Sequence, residues 1–562
     1  MLLNSKKLFA VILILTALPL LFSGCASDTP EETVETTAEA VETPKNYIII
    51  LPQSATAKIT ESANGLAESM SELLGKTPDI IKENRLDGEV KNDPSSFFIL
   101  IGMTDFSQTA DVYKDLPYGA QTVTSKQNTL IIGGWFEDAT VAAINSSKKL
   151  ISEWASNGRL DIPTDFVKTV VLDDTLCALP KLDGQKPSDA VDCGDGAMMM
   201  IFKSSKKAYD SYLQSLPEAE FRQYAENSIG NILFSTSENG TYALHTVSYT
   251  GTGETRLIIE PLRKSALAPL PTVETSTETP VTLTQIGLNQ SGGESDYAGM
   301  SYLYHLDDGS FIVIDGGYAR DEDARRLYNC MKKQTADGEK IVIAAWIFTH
   351  GHADHAGCFM NFTNLYLNEV TVERFIYNDP CAEQRNITGD APYYRQNQIE
   401  MQKYSGAVIH KAHPGQVYAI RNALVTIYYT LELYAPKDLE YYNDCSIVFS
   451  VEAGCHKTMF LGDISENVST LIASLYRNEL DCDLLQVAHH GFAGGTAPLY
   501  QYLTPSHLLW PSSDNVYETR VTADRFSTLT ASAKTDNCYV AGYRIITLLL
   551  DHQMGIVKLS EE

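Results

Sequence analysis

The sequence predicts an α/β protein made of several domains in series, and three observations predict it. Apolar runs of strand length alternate with amphipathic helical stripes along most of the chain. Two stretches break that alternation, an Asp/Pro/Gly-rich one at 173–196 and a Pro/Thr-rich one at 266–280. Eleven of the twelve histidines follow Val281, which places ligand and proton-transfer chemistry in the last half. A chain of 562 residues is too long for one core, and ~150 residues per domain gives three or four units. With 43 basic against 71 acidic residues the net charge is −28, so no stable nucleic-acid partner is expected.

The first element is an address. Lys6-Lys7 precede an apolar run from Leu8 to Phe22, and Ser23-Gly24-Cys25 follow. That run is shorter than the ~20 residues of a membrane-spanning helix. The pattern resembles a bacterial lipoprotein signal peptide at 1–24, which implies cleavage there and a lipid on Cys25. Residues 25–45 read as a disordered acidic tether, because Asp28 to Pro44 holds six acids and no base. The folded part is therefore expected at the extracellular face of the cell membrane, with membrane lipid as its first partner.

Residues 46–172 come next. "YIIILP", "FFILIGM" and "TLIIGG" read as buried strands, and Leu66, Met70, Leu73 and Leu74 form a helical stripe. This is an α/β accessory domain with no acid, His or Cys cluster. It resembles the non-catalytic N-terminal domain found beside some glycoside hydrolases, which implies a cell-wall or glycan ligand. Residues 196–265 read as a small α+β domain, with Asn239-Gly240 as a two-residue hairpin turn between alternating runs.

Residues 281–562 carry the chemistry. Asp323, Ala324, Leu327, Tyr328 and Met331 lie on a helix with its apolar members at helical spacing. The apolar run Ile341 to Phe348 is a buried strand that ends in His350-Gly351-His352-Ala353-Asp354-His355. Four ligand-type residues within six positions at a strand end can turn His350 and His352 one way and Asp354 and His355 another, holding two cations side by side. Gly351 permits the tight path this needs. Tyr393 and Tyr394, in a loop after this motif, are candidate cleft residues.

The HxHxDH string, "SFIVIDGG", "HKTMFLGDIS" and "DLLQVAHHGF", in that relation, resemble the metallo-β-lactamase superfamily over Leu283 to Leu559. "YYNDCSIVFSV", "FLGDIS" and "LLQVAHHG" are similar to its ComEC-like branch. The resemblance implies a C-terminal αβ/βα sandwich with metals at one edge. It implies His350, His352, Asp354, His355, Asp463 and His490 as metal ligands, with Asp463 bridging. It implies Asp315 as a brace for the metal loop. His489 is expected to face substrate and to protonate the leaving oxygen, and Asp354 to share in catalysis. His410 and His413 lie where some branches place a further ligand, but they are expected at the surface or behind the ligands. The cofactors implied are two divalent ions, zinc first and manganese second.

The expectation is an extracellular, membrane-anchored metal-dependent hydrolase in which a hydroxide shared by two metals attacks a small or polymeric phosphoester. Two alternatives stand beside it. One is a lactone or amide hydrolase of the same fold. The other is a non-enzymatic glycan-binding protein of the cell surface with a structural metal site.

Overall fold

A computed structural model describes residues 46–562 except 273–274, 289–297, 379, 381–391 and 534–536. The signal segment, Cys25 and the acidic tether lie outside the described residues. Among those described, no helix is long and apolar enough to cross a membrane, and no pair of cysteines forms a disulfide.

The described chain is mixed α/β and contains four large sheets. The first combines Asn46–Leu51, Ser96–Ile101 and Thr129–Gly134 in parallel with further strands at its edges. Its strands are fully apolar at the centre because the sheet is covered: Ala57–Leu74 and Glu137–Trp154 lay Leu66, Met70, Ile144 and Ile151 against Ile49, Ile99 and Ile132. Thr56 caps the first of these helices through its side chain, and Gly75, at φ 69°, closes it.

The second sheet is antiparallel, and it begins earlier than the sequence indicates. Pro187–Gly194 is its edge strand, lying inside the stretch read as a break. An edge strand needs only one covered side, so its Asp189 and Asp192 erase the apolar signal. Its hairpin at Asn239 also turns one residue later than expected, with Gly240 and Thr241 as the loop residues between paired Asn239 and Tyr242.

The last half is a sandwich of two mixed sheets. One carries Phe311–Asp315 beside Ile341–Ile347 in parallel, and the other carries His456–Phe460 beside Leu484–Gln486 in parallel. Their facing sides interleave Tyr302, Ile314 and Ile347 with Ile427, Phe449 and Phe460. The outer side of the first is covered by Asp321–Gln334 and Cys358–Tyr366 through Leu327, Met331, Phe359 and Phe362. The outer side of the second is covered by Glu466–Tyr476 and Ala497–Leu503. Helices outside two sheets make this the αβ/βα arrangement.

A register shift sets where the histidine-bearing strand leaves the sheet. Phe311 pairs with Ile343 but Ile312 pairs with Ala345, so Ala344 is an extra residue in its strand. The bulge switches which residues face the helices: Ile341 and Ile343 before it, Trp346 and Phe348 after it. Thr349 and His350 then depart at the sandwich edge.

The middle sheet is not a separate bead. Ile229, Ile232, Phe234 and Tyr249 share a hydrophobic cluster with Tyr428 and Tyr476 of the sandwich. Asn227 Nδ2 donates to Gly415 O at 3.1 Å, and Tyr224 OH donates to Ala268 O at 2.8 Å.

Candidate metal centre

Four strands of the sandwich end at the same edge, and each delivers part of one cluster. Phe311–Asp315 delivers Asp315. Ile341–Ile347 delivers the turn from Thr349 to His355. His456–Phe460 leads to Asp463, and Leu484–Gln486 leads to His489 and His490.

Asp315 is fully buried and sits at φ 54°, a left-handed conformation that costs roughly 1 kcal/mol for a non-glycine residue. Its carboxylate is fully engaged there. Thr349 N–H donates to Oδ1 at 2.8 Å, Thr349 Oγ1 donates to Oδ2 at 2.7 Å, and His355 Nδ1 lies 2.8 Å from Oδ2. Trp346 Nε1 adds a bond to its carbonyl at 2.9 Å. Asp315 therefore ties the start of the histidine turn to its end, and it fixes the proton of His355 on Nδ1.

Two groups of side chains result, and Asp463 belongs to both. Asp354, His355, Asp463 and His490 form one, and His350, His352 and Asp463 the other; within each group the candidate ligand atoms lie within 4.8 Å of one another. In the first, Asp463 Oδ2 is 3.2 Å from His355 Nε2 and 3.1 Å from His490 Nε2, and Asp354 Oδ2 is 3.2 Å from His490 Nε2. In the second, His350 Nε2 and His352 Nδ1 are 2.9 Å apart, with the Tyr442 ring 5.1 Å from that of His352.

The donor chemistry fits a cation. His490 Nδ1 lies 3.1 Å from the carbonyl of Pro511, which can only accept, so the Nδ1 proton is fixed as in His355. Both rings then present Nε2 to each other at 3.2 Å. With both Nδ1 protons fixed, two neutral rings bring their Nε2 lone pairs together, which repel; one shared proton or a cation between them relieves this, and Asp463 and Asp354 supply the negative charge for either. Asp463 Oδ1 is buried without a hydrogen-bond partner, and such an oxygen is costly unless something positive meets it. Two imidazoles, two carboxylates and a further imidazole pair suit zinc, manganese or iron.

The electrostatics point the same way. Against burial, which lowers it, the carboxylates of Asp463, Asp354 and Asp315 hold His355 well above the ordinary imidazole value. Likewise, against burial, Asp463 and Asp354 raise His490 to about 9. Burial would raise Asp463, but His355 and His490 keep it well below the usual carboxylate range. Burial, then His355 and His352, push His350 far down. The acids thus hold protons on His355 and His490 that a cation would replace.

His489 stands apart from the cage. Its side chain is 28% exposed, its Nε2 is 3.8 Å from Asp463 Oδ2, and the Asn443 amide touches Nε2 at 3.2 Å. Burial leads the causes that hold it below the ordinary imidazole value, so it rests neutral at pH 7.

Several supports lie outside the His and Asp ligand set. Thr349 bonds Asp315 and lies 3.2 Å from the Nδ1 atoms of both His350 and His355. Gln486 Oε1 accepts from the N–H groups of Leu461 and Gly462, each at 2.8 Å, and Asp463 N–H donates to Ser446 Oγ at 3.0 Å. Asn443, Asp444 and Ser446 therefore serve as props for the Asp463 turn and His489, with Asp444 Oδ1 accepting from Ser465 N–H at 3.0 Å.

Two expectations need correction. His410 and His413 are buried rather than at the surface, and neither supports the cage: His410 Nδ1 meets Ala266 O, and His413 joins Glu260 and Glu432. His410 lies in, and His413 just after, the edge strand Val408–Lys411, two strands from the one that leads to the histidine turn, so chain order alone misplaces them. Tyr393 lies in the helix Pro392–Met401, not in a loop; residues 381–391 before it are outside the described residues.

The sequence model of the Metallo-beta-lactamase superfamily matches residues 295–407, so a metallo-β-lactamase domain lies in the C-terminal region. No curated protein matches the sequence. Among solved structures, the chain is similar to CmlA, a diiron β-hydroxylase from Streptomyces venezuelae, at 12% identity over 52% of this chain and 55% of that one, with a TM-score of 0.29. A flavo di-iron protein variant from Thermotoga maritima matches at 11% identity over 52% and 58%, TM-score 0.21. The hydrolase AbOPH of the β-lactamase superfamily matches at 12% identity over 44% and 75%, TM-score 0.19. The chain spans about half the length of the CmlA structures it matches, 46% and 55%.

Proposed function

We propose that this chain is a metal-dependent hydrolase of phosphoester bonds, of the ComEC-like branch, held by a lipid on Cys25 at the outer face of the cell membrane. The observation that carries the reading is the opposed Nε2 pair of His355 and His490 beside the unpartnered Oδ1 of Asp463. His350, His352, Asp354, His355, Asp463 and His490 would hold two divalent ions, zinc or manganese. When bound, such ions supply the acidity that yields hydroxide near neutral pH and the charge that polarises the bond to be broken.

The chain's own residues do the rest. Asp354 and Asp463 set the negative charge of the cage. Asp315 and the Pro511 carbonyl fix the tautomers of His355 and His490, which holds their rings without further reorganisation. His489, neutral and turned to the mouth, carries one N–H that it can donate to a substrate oxygen. Asn443 sets its angle.

The test is a panel of bis(p-nitrophenyl) phosphate, a lactone and nitrocefin, assayed after chelation and after return of zinc or manganese. Turnover of the diester alone, lost with chelator and restored by metal, is the expected result. Turnover of the lactone or nitrocefin alone moves the proposal to carbonyl substrates. Retained metal with no turnover supports a surface binding protein instead, with the accessory domain as the glycan-contacting part.

A further inference from the structure

A second group of ligand-type side chains, sharing no residue with the cage, lies on the seam between the middle sheet and the sandwich. His245 belongs to Tyr242–Tyr249, Glu260 to Glu254–Pro261, and His413 follows the strand Val408–Lys411. His245 pairs with Ile258 across the two strands, which sets Glu260 diagonally beside it on the same face. That face also bears Val247 and Tyr249, which pack on the sandwich. All three side chains are buried, and their candidate ligand atoms lie within 4.8 Å of one another.

Their orientation repeats that of the cage. His245 Nε2 is 3.0 Å from Glu260 Oε1, and His413 Nε2 is 3.3 Å from Glu260 Oε2. Each ring turns its other nitrogen to an oxygen: His245 Nδ1 meets Thr236 Oγ1 at 3.0 Å, and His413 Nδ1 faces Glu432 Oε1 at 3.3 Å. Glu432 is itself held by Asn378 Nδ2 at 2.6 Å and by Thr430 Oγ1. An imidazole with Nδ1 toward a braced carboxylate and Nε2 toward a shared centre is the usual support of a metal-ligating histidine.

A second observation is independent of the clustering. Neither ring nitrogen of His413 has a hydrogen bond, although the residue is fully buried. Its two carboxylate neighbours are close but not aligned with its N–H directions. Separations of 3.0 to 3.3 Å between donors are close to the edge of a tetrahedron whose ligands lie about 2.0–2.2 Å from zinc. The rings stack at 4.4 Å, so both cannot carry a proton without strong repulsion. Beside them opens a cavity of about 250 Å³, lined by Tyr224, Phe234, Thr236, His245 and Gln416, which gives an ion and its water a way in.

We infer that His245, Glu260 and His413 bind a divalent cation, zinc by their donor set, which staples the middle sheet to the sandwich. This site is separate from the proposed hydrolytic centre and does not depend on it.

The test uses the full chain carrying His350→Ala, His355→Ala, Asp463→Ala and His490→Ala, which leaves no three cage ligands together and keeps the seam intact. Purified protein is exposed to zinc, passed over a desalting column and analysed for metal. About one zinc per chain is expected to remain, and adding His245→Ala with His413→Ala is expected to remove it. In the cage-disabled chain, chelation is expected to lower the thermal midpoint, a readout independent of turnover and of whether the seam variant folds. A cage-disabled chain with native circular dichroism and no retained zinc overturns the inference, leaving a protonated His413 between two carboxylates as the seam's bond. Zinc that survives the loss of both seam histidines overturns it as well.

Discussion

His489 and His490 are consecutive residues with left-handed backbones, φ 47° and 55°, and they point to different places. His490 turns into the cage, where it is 2% exposed, and His489 turns to Asn443 at the mouth. Such strain costs on the order of 1–3 kcal/mol per residue and persists only where the surroundings enforce it. Here Trp510 Nε1 donates to His490 O at 3.1 Å, and a Cβ on Gly491 would sit 2.6 Å from Trp510.

That division predicts unlike phenotypes for neighbouring substitutions. His490→Ala is expected to lose metal, and activity with it. His489→Ala is expected to keep both metals and the fold while turnover falls by ~10–10², the range of a lost hydrogen bond to a charged substrate oxygen. Metal analysis beside kinetics distinguishes them; equal metal loss in both variants would contradict the assignment.

Asp315 should matter without touching a cation. Asp315→Asn keeps the shape but removes the charge that holds the proton on His355 Nδ1. Metal affinity is expected to drop ~10–100-fold, read by competition with a chromogenic chelator. Thr349→Val, which removes one bond to Asp315, should give a smaller loss in the same direction.

Metal binding should weaken in acid. Asp463 and Asp354 overcome burial and raise His490 to about 9, so below that pH the ring holds a proton that a cation must displace. Above about pH 9 the proton is gone and affinity should level off. Below it, affinity should fall ~tenfold per pH unit for each proton displaced. A zinc titration across this range that stays flat would count against the cage as drawn.

The seam offers a stability test. Phe234 is 5% exposed, and a Cβ on Gly415 would fall 2.0 Å from its Cγ. Phe234→Ala should destabilise by about 3–5 kcal/mol, as for large buried aromatics. Gly415→Ala should also destabilise, since Gly415 sits at φ 82°. Both should appear in the melting of the middle sheet and sandwich together, with cage metal unchanged at low temperature.

The strand ends of the cage were legible because chemistry and pattern coincide there: apolar runs stop, and His or Asp follows at once. Asp315, His355, Asp463 and His490 all announce themselves this way. Thr349 and Gln486 do not, since a hydroxyl or amide that braces a turn looks like any other residue until its partners are in place. His245 and His413 are separated by 168 positions, one in a strand of the middle sheet and the other just past a strand of the sandwich, and no local spacing connects them. Pro187–Gly194 escaped for a simpler reason, since an outer strand can be half polar and still pair.

The middle sheet's grip on Tyr428 and Tyr476 has a practical corollary. Trimming the gene to residues 281–562 would strip the cover from that flank of the sandwich and bare a greasy surface, inviting self-association. Expression designs aimed at the histidine-rich half should begin no later than Pro187, so that the chaperoning layer travels with the part it shields.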